Sequence, residues 1–240
     1  MGRGSFTESF DLFGADLSAY DELFAEKLGL LMLLNRGNPV TWSGAFRPPL
    51  IDARVYPRPY GEALRISVGS GGNPGSSARA GEAGLPVVYA VIGGLPERFA
   101  PLVELYRKAG AAAGHPPGRL EVTMSAIGLI APRSQDAKEI FYPYWNQVME
   151  YGAQARGWNV PSRMDYNDYV RRARTIFAGS PAEIADRMIT VGQLVRADRY
   201  AMQMDWAGVP HLHVMRAIEL LGTEVLPDVR REFASPAAAL

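Results

Sequence analysis

The chain has 240 residues, of which 48% are hydrophobic, so it has enough apolar side chains for the core of one globular domain of ordinary size. Lysine and arginine together number 25, as do aspartate and glutamate, and no basic stripe stands out, which argues against nucleic acid as a partner. The chain has no cysteine, which excludes disulfides, thiolate metal sites and cysteine nucleophiles and fits a reducing cytoplasm.

No segment is typical of membrane insertion or export. The longest apolar run, residues 28–34, is far shorter than the ~20 residues that a spanning helix needs. The first six residues lack the apolar region of a signal peptide. We therefore expect no membrane anchor, and we expect the weakly patterned tail at residues 234–240 to fray.

Short apolar runs alternate with helical patterns along the chain. A helix is predicted to begin at Ser18 and to end at Gly37, because its apolar residues recur at about 3.6-residue spacing. The proline-rich residues 40–61 predict an excursion with a short hairpin. Four strands are predicted at residues 64–69, 86–92, 120–130 and 199–205, and further helices at 76–84 and 99–114 and from Ser134, Ser180 and Pro210.

The order of these elements indicates the fold class. Strands that alternate with helices predict βα units and a parallel sheet, which is an α/β fold. The polar, arginine-rich stretch that begins at Gly157 predicts an insertion over residues 157–178. We see no internal boundary and expect a single domain over residues 1–240.

The most informative local feature is a glycine-rich turn between the first predicted strand and the next helix. We call residues 70–77 the glycine loop; they are Ser70, Gly71, Gly72, Asn73, Pro74, Gly75, Ser76 and Ser77. Asn73 suits an N-cap and Pro74 suits the first helical position. The glycines would let the backbone approach a ligand, and the first-turn N–H groups with the hydroxyls of Ser76 and Ser77 would point at one anion.

This loop alone leaves two interpretations open. It is neither the dinucleotide fingerprint, because Pro74 replaces the third glycine, nor a Walker A loop, because no Gly-Lys-Ser/Thr follows. It predicts either a phosphate site or a capped helix after a flexible turn. A second glycine pair, Gly93 and Gly94, ends the next predicted strand, and both loops would lie on the carboxyl-terminal face of a βα barrel, where active sites occur.

Other polar residues favour structural roles. His115 lies in a turn, and His211 and His213 are only two residues apart on a helix, so we expect no metal site. Gln203, Asp205 and Trp206 follow the last strand and would either line a substrate pocket or cap and pack. Tyr89 would point into the barrel or pack in the core, and no set of side chains favours a hydrolase.

Several segments together resemble the flavin-dependent monooxygenases of the bacterial-luciferase superfamily. The resemblance runs through nearly the whole chain and rests on the combination of its motifs. Those motifs are residues 2–14 (GRGSFTESFDLFG), residues 40–44 and 47–49, the Gly71-Gly72 loop, residues 84–86 and residues 218–225. The resemblance implies a (β/α)8 barrel of the TIM type.

The resemblance also implies a cofactor and its ligands. The cofactor would be FMN, which would be reduced by NAD(P)H directly or through a flavin reductase and used with O2 on a small organic substrate. Arg3 matches a flavin-phosphate arginine of the family, and the loop from Gly72 to Ser77 matches its phosphate-binding segment, with Ser70, Gly71 and Gly93 beside it. The deazaflavin F420 is a less favoured cofactor, and family members are often homodimers.

The chain departs from the family in its strand count. A complete barrel has eight strands, whereas four are evident here, so the first three to four would precede Met1 together with a catalytic histidine. We therefore expect a partial barrel, from a gene start placed too late, from a fragment, or from a chain that closes its sheet against another. The catalytic residues are unknown, and a non-catalytic, flavin-binding or subunit-like chain is the competing function.

Overall fold

The fold is taken from a computed structural model that describes residues 1–2, 4, 8–61, 63–91, 95–171 and 175–234. The chain divides into two compact units, residues 1–69 and residues 70–240. That residues 1–240 form a single domain stays a prediction. Each unit is described by itself below.

The first unit contains two helices and an antiparallel hairpin. The helices are α1 (Glu8–Leu12) and α2 (Tyr20–Asn35), and the strands are β1 (Val40–Trp42), β2 (Leu50–Ala53) and the beginning of β3 (Val68–Ser70). Val40 pairs with Ala53, which confirms the predicted hairpin. The predicted N-cap was wrong: Ser18 lies in a 3-10 turn, where the side chain of Asp16 accepts a hydrogen bond from its N–H at 2.8 Å.

The backbone of Met1 lies beside β3. The amino group of Met1 donates to the carbonyl of Ser67 at 2.5 Å, and the N–H of Gly69 donates to the carbonyl of Met1 at 2.7 Å. In a parallel pair, one residue donates to the residue before its partner and accepts from the residue after it, as Met1 does on either side of Val68. Met1 therefore occupies the position of a neighbouring parallel strand.

The second unit alternates strands and helices. Its elements are the end of β3, α3 (Pro74–Glu82), β4 (Val87–Ala90), α4 (Ala100–Ala112), β5 (Val122–Ile127), α5 (Ser134–Arg156), α6 (Arg163–Arg171), α7 (Pro181–Val195), β6 (Arg199–Gln203), α8 (His211–Leu220) and α9 (Leu226–Ala234). A π-helical turn, Leu221–Val225, joins α8 to α9. The predicted capping box at the start of α7 is confirmed, since Ser180 and Glu183 each accept a hydrogen bond from the other's backbone N–H.

The sheet has the order β3-β4-β5-β6, and the β4–β5 and β5–β6 pairs are parallel. Val87 pairs with Val122 and Met124 with Tyr200, so the carboxyl ends of these strands lie along one edge. The central strand β5 is largely buried on both faces, although Thr123 and Ser125 interrupt its apolar sequence. The sheet thus supplies the parallel strands β4, β5 and β6, with β3 beside β4, to a partial (β/α) barrel.

The stretch predicted as an insertion joins this core at its end. Its first part forms α6, and the segment after it lies parallel to the end of β5, with bridges from Ile127 to Ile176 and from Ile130 to Gly179. Ile176 and Phe177 are fully buried there. That residues 157–178 are an insertion stays a prediction, and the tail from residue 235 lies outside the described residues.

None of the helices in the described part of the chain combines the length and apolar character that a membrane span requires.

Candidate anion-binding site

The glycine loop joins the end of β3 to the first turn of α3. Asn73 has an extended backbone (φ −83°, ψ 123°), and its side-chain oxygen accepts a hydrogen bond from the N–H of Ser76 at 3.1 Å. Pro74 occupies the first helical turn, where its missing N–H costs nothing. The predicted cap is therefore confirmed, and the loop delivers the chain to a helix amino terminus with its positive dipole end exposed.

Two features of Gly72 favour glycine, its backbone conformation and the approach of a flexible arginine side chain. Its φ of +109° lies in the region that residues with a side chain rarely adopt. In addition, a Cβ atom built at this position would lie 2.9 Å from Nη2 of Arg98. The missing side chain thus leaves room for a guanidinium group against the loop backbone.

Arg98 is the cation that sequence reasoning missed. Arg98 is exposed and lies in the 3-10 turn Pro96–Phe99 that precedes α4. Its guanidinium lies over Gly72 and 5.4 Å from the ring centroid of Phe99. Among the residues that the structure describes, no carboxylate forms an ion pair with Arg98. Its charge therefore stands beside the helix amino terminus without a described anionic partner.

A second guanidinium lies beside the same loop. Nη1 of Arg79, in α3, lies 3.7 Å from the position that a Cβ atom of Gly75 would take. The residue is half-buried, one turn into the helix. Sequence reasoning could have found it, because Arg79 lies four residues after Gly75 and shares its helical face.

The three serines of the loop are all buried, and they differ in what they contact. Ser70 Oγ accepts a hydrogen bond from the N–H of Gly72 at 3.3 Å, which closes the turn. The backbone N–H of Ser76 is taken by Asn73. Ser77 is fully buried, and its Oγ lies 2.8 Å from the hydroxyl of Tyr89, so this hydroxyl is engaged by the core.

Not every amide of the first turn is available to a ligand. Pro74 has none, and the N–H of Ser77 donates to the carbonyl of Asn73 at 3.2 Å. The N–H groups of Gly71 and Gly75 have no acceptor within the described ranges. The donors that face a ligand are therefore fewer than the sequence suggested, and the two guanidinium groups supply charge beside them.

Two of the predicted ligands lie outside the described residues. They are Arg3, which the family resemblance assigned to the flavin phosphate, and Gly93, which ends the next strand. Their roles stay predictions.

Tyr89 points away from the sheet edge, toward the helices. Its side chain is fully buried, its hydroxyl lies 3.1 Å from the carbonyl of Leu102 in α4, and its ring centroid lies 5.6 Å from that of Phe99. Burial raises the pKa of Tyr89 to about 12, against a smaller lowering by its hydrogen bond with Ser77. The phenol therefore stays protonated throughout the physiological range.

The other polar candidates are placed as follows. His115 lies 2.9 Å from the carbonyl of Glu82 and packs against Gly84, so it joins α3 to the turn after α4. Asp205 and Trp206 lie in the turn after β6, where Trp206 packs half-buried against the core. Within the described residues no group of three or more acidic or histidine side chains is arranged to hold a metal ion.

The family model for luciferase-like monooxygenases matches residues 1–197. The chain belongs to the luciferase-like monooxygenase family. The match covers both the first unit and most of the second, including the glycine loop and Arg98. No curated protein sequence matches this luciferase-like chain.

Solved structures share the fold of this family member. The monooxygenase RslO1 from Streptomyces bottropensis is 22% identical with a TM-score of 0.80, over 94% of this chain and 67% of its own. The FMN-bound oxygenating constituent of 3,6-diketocamphane monooxygenase from Pseudomonas putida is 18% identical with a TM-score of 0.70, over 95% of this chain and 70% of its own. The coenzyme F420-dependent tetrahydromethanopterin reductase from Methanopyrus kandleri is 16% identical with a TM-score of 0.65, over 95% and 72%.

These likenesses support the fold class expected from the sequence. The chain spans about two thirds of the length of these barrel proteins, which agrees with a partial barrel of the luciferase-like type. At such low identities the likeness concerns the fold, and the chemistry has to be argued from the site.

Proposed function

We propose that this protein is a flavin-dependent monooxygenase that holds the phosphate of FMN at the glycine loop, with Arg98 as its charge partner. The observation that carries the proposal is the placement of the Arg98 guanidinium over Gly72, at the amino terminus of α3. A guanidinium fork and a helix amino terminus are both suited to a dianionic phosphate monoester.

The site fits this group in size and charge. The absence of a side chain at Gly72 opens the loop backbone, and any Cβ atom there would displace Arg98. The N–H groups of Gly71 and Gly75 add donors, and Arg79 adds a second positive charge beside Gly75. The loop follows a strand of a parallel sheet, at the carboxyl-terminal edge where α/β proteins bind ligands.

The division of labour between protein and cofactor follows from this geometry. Reduced flavin would supply the two electrons that convert O2 into one oxygen atom for the substrate and one for water. The residues of the glycine loop would anchor the cofactor by its phosphate and so fix the distance of its ring system from the sheet edge. We assign no acid, base or substrate ligand, and the substrate is a small organic molecule by class only.

The proposal is tested by comparing FMN with riboflavin, which lacks the phosphate. The purified protein should bind FMN at least about tenfold more tightly, because a hydrogen bond to a charged group contributes roughly 1.5–3 kcal/mol. Arg98→Gln should remove most of that preference in a fluorescence titration. Arg133→Gln removes an exposed cation that is paired with Asp136 instead, and should leave the preference unchanged.

Turnover is tested separately. With bound FMN, NAD(P)H and, where needed, a flavin reductase, we expect oxygen uptake that increases when a substrate is present. The absence of cysteine fits a reducing compartment, so we expect this reaction in the cytoplasm. Equal affinity for FMN and riboflavin in the unmodified protein would overturn the phosphate assignment.

Two other functions have specific support. One of the similar structures is an F420-dependent reductase, so F420 should be titrated in parallel with FMN. The second is a flavin-binding or subunit-like protein without turnover, since no acid, base or substrate ligand is assigned among the described residues. Tight FMN binding without oxygen uptake would support the second of these, and preferential F420 binding the first.

A further inference from the structure

Tyr89 connects the two elements that carry the anion site. Its hydroxyl lies 2.8 Å from Oγ of Ser77, in the first turn of α3, and 3.1 Å from the carbonyl of Leu102 in α4. One phenol proton serves one of these partners at a time, while the hydroxyl of Ser77 also reaches the carbonyl of Asn73 at 3.4 Å. Because two hydroxyl protons serve three contacts, either Tyr89 donates to Ser77 and Ser77 to Asn73, or Ser77 donates to Tyr89 and Tyr89 to Leu102. The hydrogen bond between Tyr89 and Ser77 is present in both arrangements.

The ring of Tyr89 supports the opposite side of the same site. It packs at 5.6 Å from the ring of Phe99, and Phe99 in turn lies 5.4 Å beneath the guanidinium of Arg98. Tyr89 therefore contacts Ser77 of the glycine loop through its hydroxyl and, through its ring, contacts Phe99, which packs against Arg98. Both contacts are fully buried, so neither can be exchanged for water at no cost.

We propose that Tyr89 is a positioning residue for phosphate recognition, which fixes the amino terminus of α3 against Arg98 without touching the anion. This inference rests on the proposed function, because it concerns the same phosphate site. Tyr89 and Ser77 are each fully buried, so they act through the loop backbone and the N-cap. The protonated phenol keeps this support neutral, and no charge is added beneath the site.

The test separates positioning from general stability by using two ligands. Tyr89→Phe removes the hydroxyl and keeps the ring, so it should raise the Kd for FMN about three- to tenfold while the Kd for riboflavin stays within about twofold. A merely structural role would lower the thermal midpoint and leave the ratio of the two Kd values unchanged. Both Kd values are measured by fluorescence titration of the full chain.

Tyr106→Phe is the matched control. Tyr106 is also fully buried, and its hydroxyl donates to backbone carbonyls at Leu85 and Glu121, outside the glycine loop. This variant should lose stability to a similar extent and keep the FMN preference. A change of the ratio in Tyr106→Phe equal to that in Tyr89→Phe would overturn the inference.

Ser77→Ala removes the same contact from its other end, and it serves if Tyr89→Phe fails to fold. It should reduce the FMN preference by a comparable factor. The double variant should have the same FMN preference as the single variant with the lower preference, because both substitutions remove one interaction. If the unmodified protein prefers FMN and both single variants keep that preference, the inference is wrong and the proposed function stands. If the unmodified protein shows no preference, the proposed function itself fails.

Discussion

Two helices of nearly equal length show how differently the two units hold their elements. In the second unit, α7 begins with a capping box and buries eight of its residues, including Ile184 and Met188. In the first unit, α2 is richer in leucine, yet it has no side-chain cap and buries only Phe24, Leu28 and Leu30. Apolar content therefore does not by itself stabilise a helix, because burial requires a surface to pack against.

The largest expected effect comes from making the same substitution in both helices. Met188→Ala empties a fully buried position of α7 and should lower the free energy of unfolding by about 2–5 kcal/mol. Met32→Ala, at a half-buried position of α2, should cost less than about 1 kcal/mol. Urea denaturation measures both, and equal losses would contradict the difference between the units.

The next effect concerns the helix pair that carries the glycine loop. A Cβ atom at Gly81 of α3 would lie 2.2 Å from the backbone carbonyl oxygen of Tyr106 in α4. Gly81→Ala should therefore destabilise by about 1–3 kcal/mol, although alanine is normally the better helix former. At Gly118 nothing lies within 4 Å of such an atom, so Gly118→Ala is the control and should leave the urea midpoint nearly unchanged. A stabilised Gly81→Ala protein would show that α3 and α4 do not approach so closely.

A smaller effect is expected at the cap of α7. Ser180→Ala removes the side-chain acceptor for the N–H of Glu183 and should lower the free energy of unfolding by about 1 kcal/mol. The same measurement on Ser43→Ala, at an exposed position of the first unit, should show no change. If both substitutions cost the same, the capping box does not contribute to the stability of α7.

The smallest effect is a pH dependence at the same cap. The pKa of Glu183 is held below its usual value of 4.5: burial opposes this, and the hydrogen bond from the backbone N–H of Ser180 together with the nearby cations Lys138 and Arg187 outweighs it. Because the pKa of Glu183 is lower in the folded than in the unfolded state, its carboxylate contributes fully to the free energy of unfolding above about pH 4.5. This contribution is lost as the pH falls through the folded pKa. The stability difference between the unmodified protein and Glu183→Gln should shrink over that acidic range, and a difference that stays constant would contradict it.

The candidate site divides in the same way between local and distant information. Asn73 and Pro74 were predictable, because an N-cap depends on residues within one helical turn of each other. Arg98 was not predictable, since it lies 26 residues beyond Gly72 along the chain and approaches it only when α3 and α4 pack side by side. The hydroxyl of Ser77 was expected to point at the anion, whereas in the structure it contacts the hydroxyl of Tyr89.

Local spacing and continuous motifs were enough to predict the α/β class, the alternation of strands and helices, the hairpin, the caps of α3 and α7 and the family. Only the packed fold shows which cation lies beside the glycine loop, which serine hydroxyl is engaged by the core and which tyrosine joins two helices. These depend on how separate segments pack, and packing distances between residues far apart in the chain are not encoded in any short pattern.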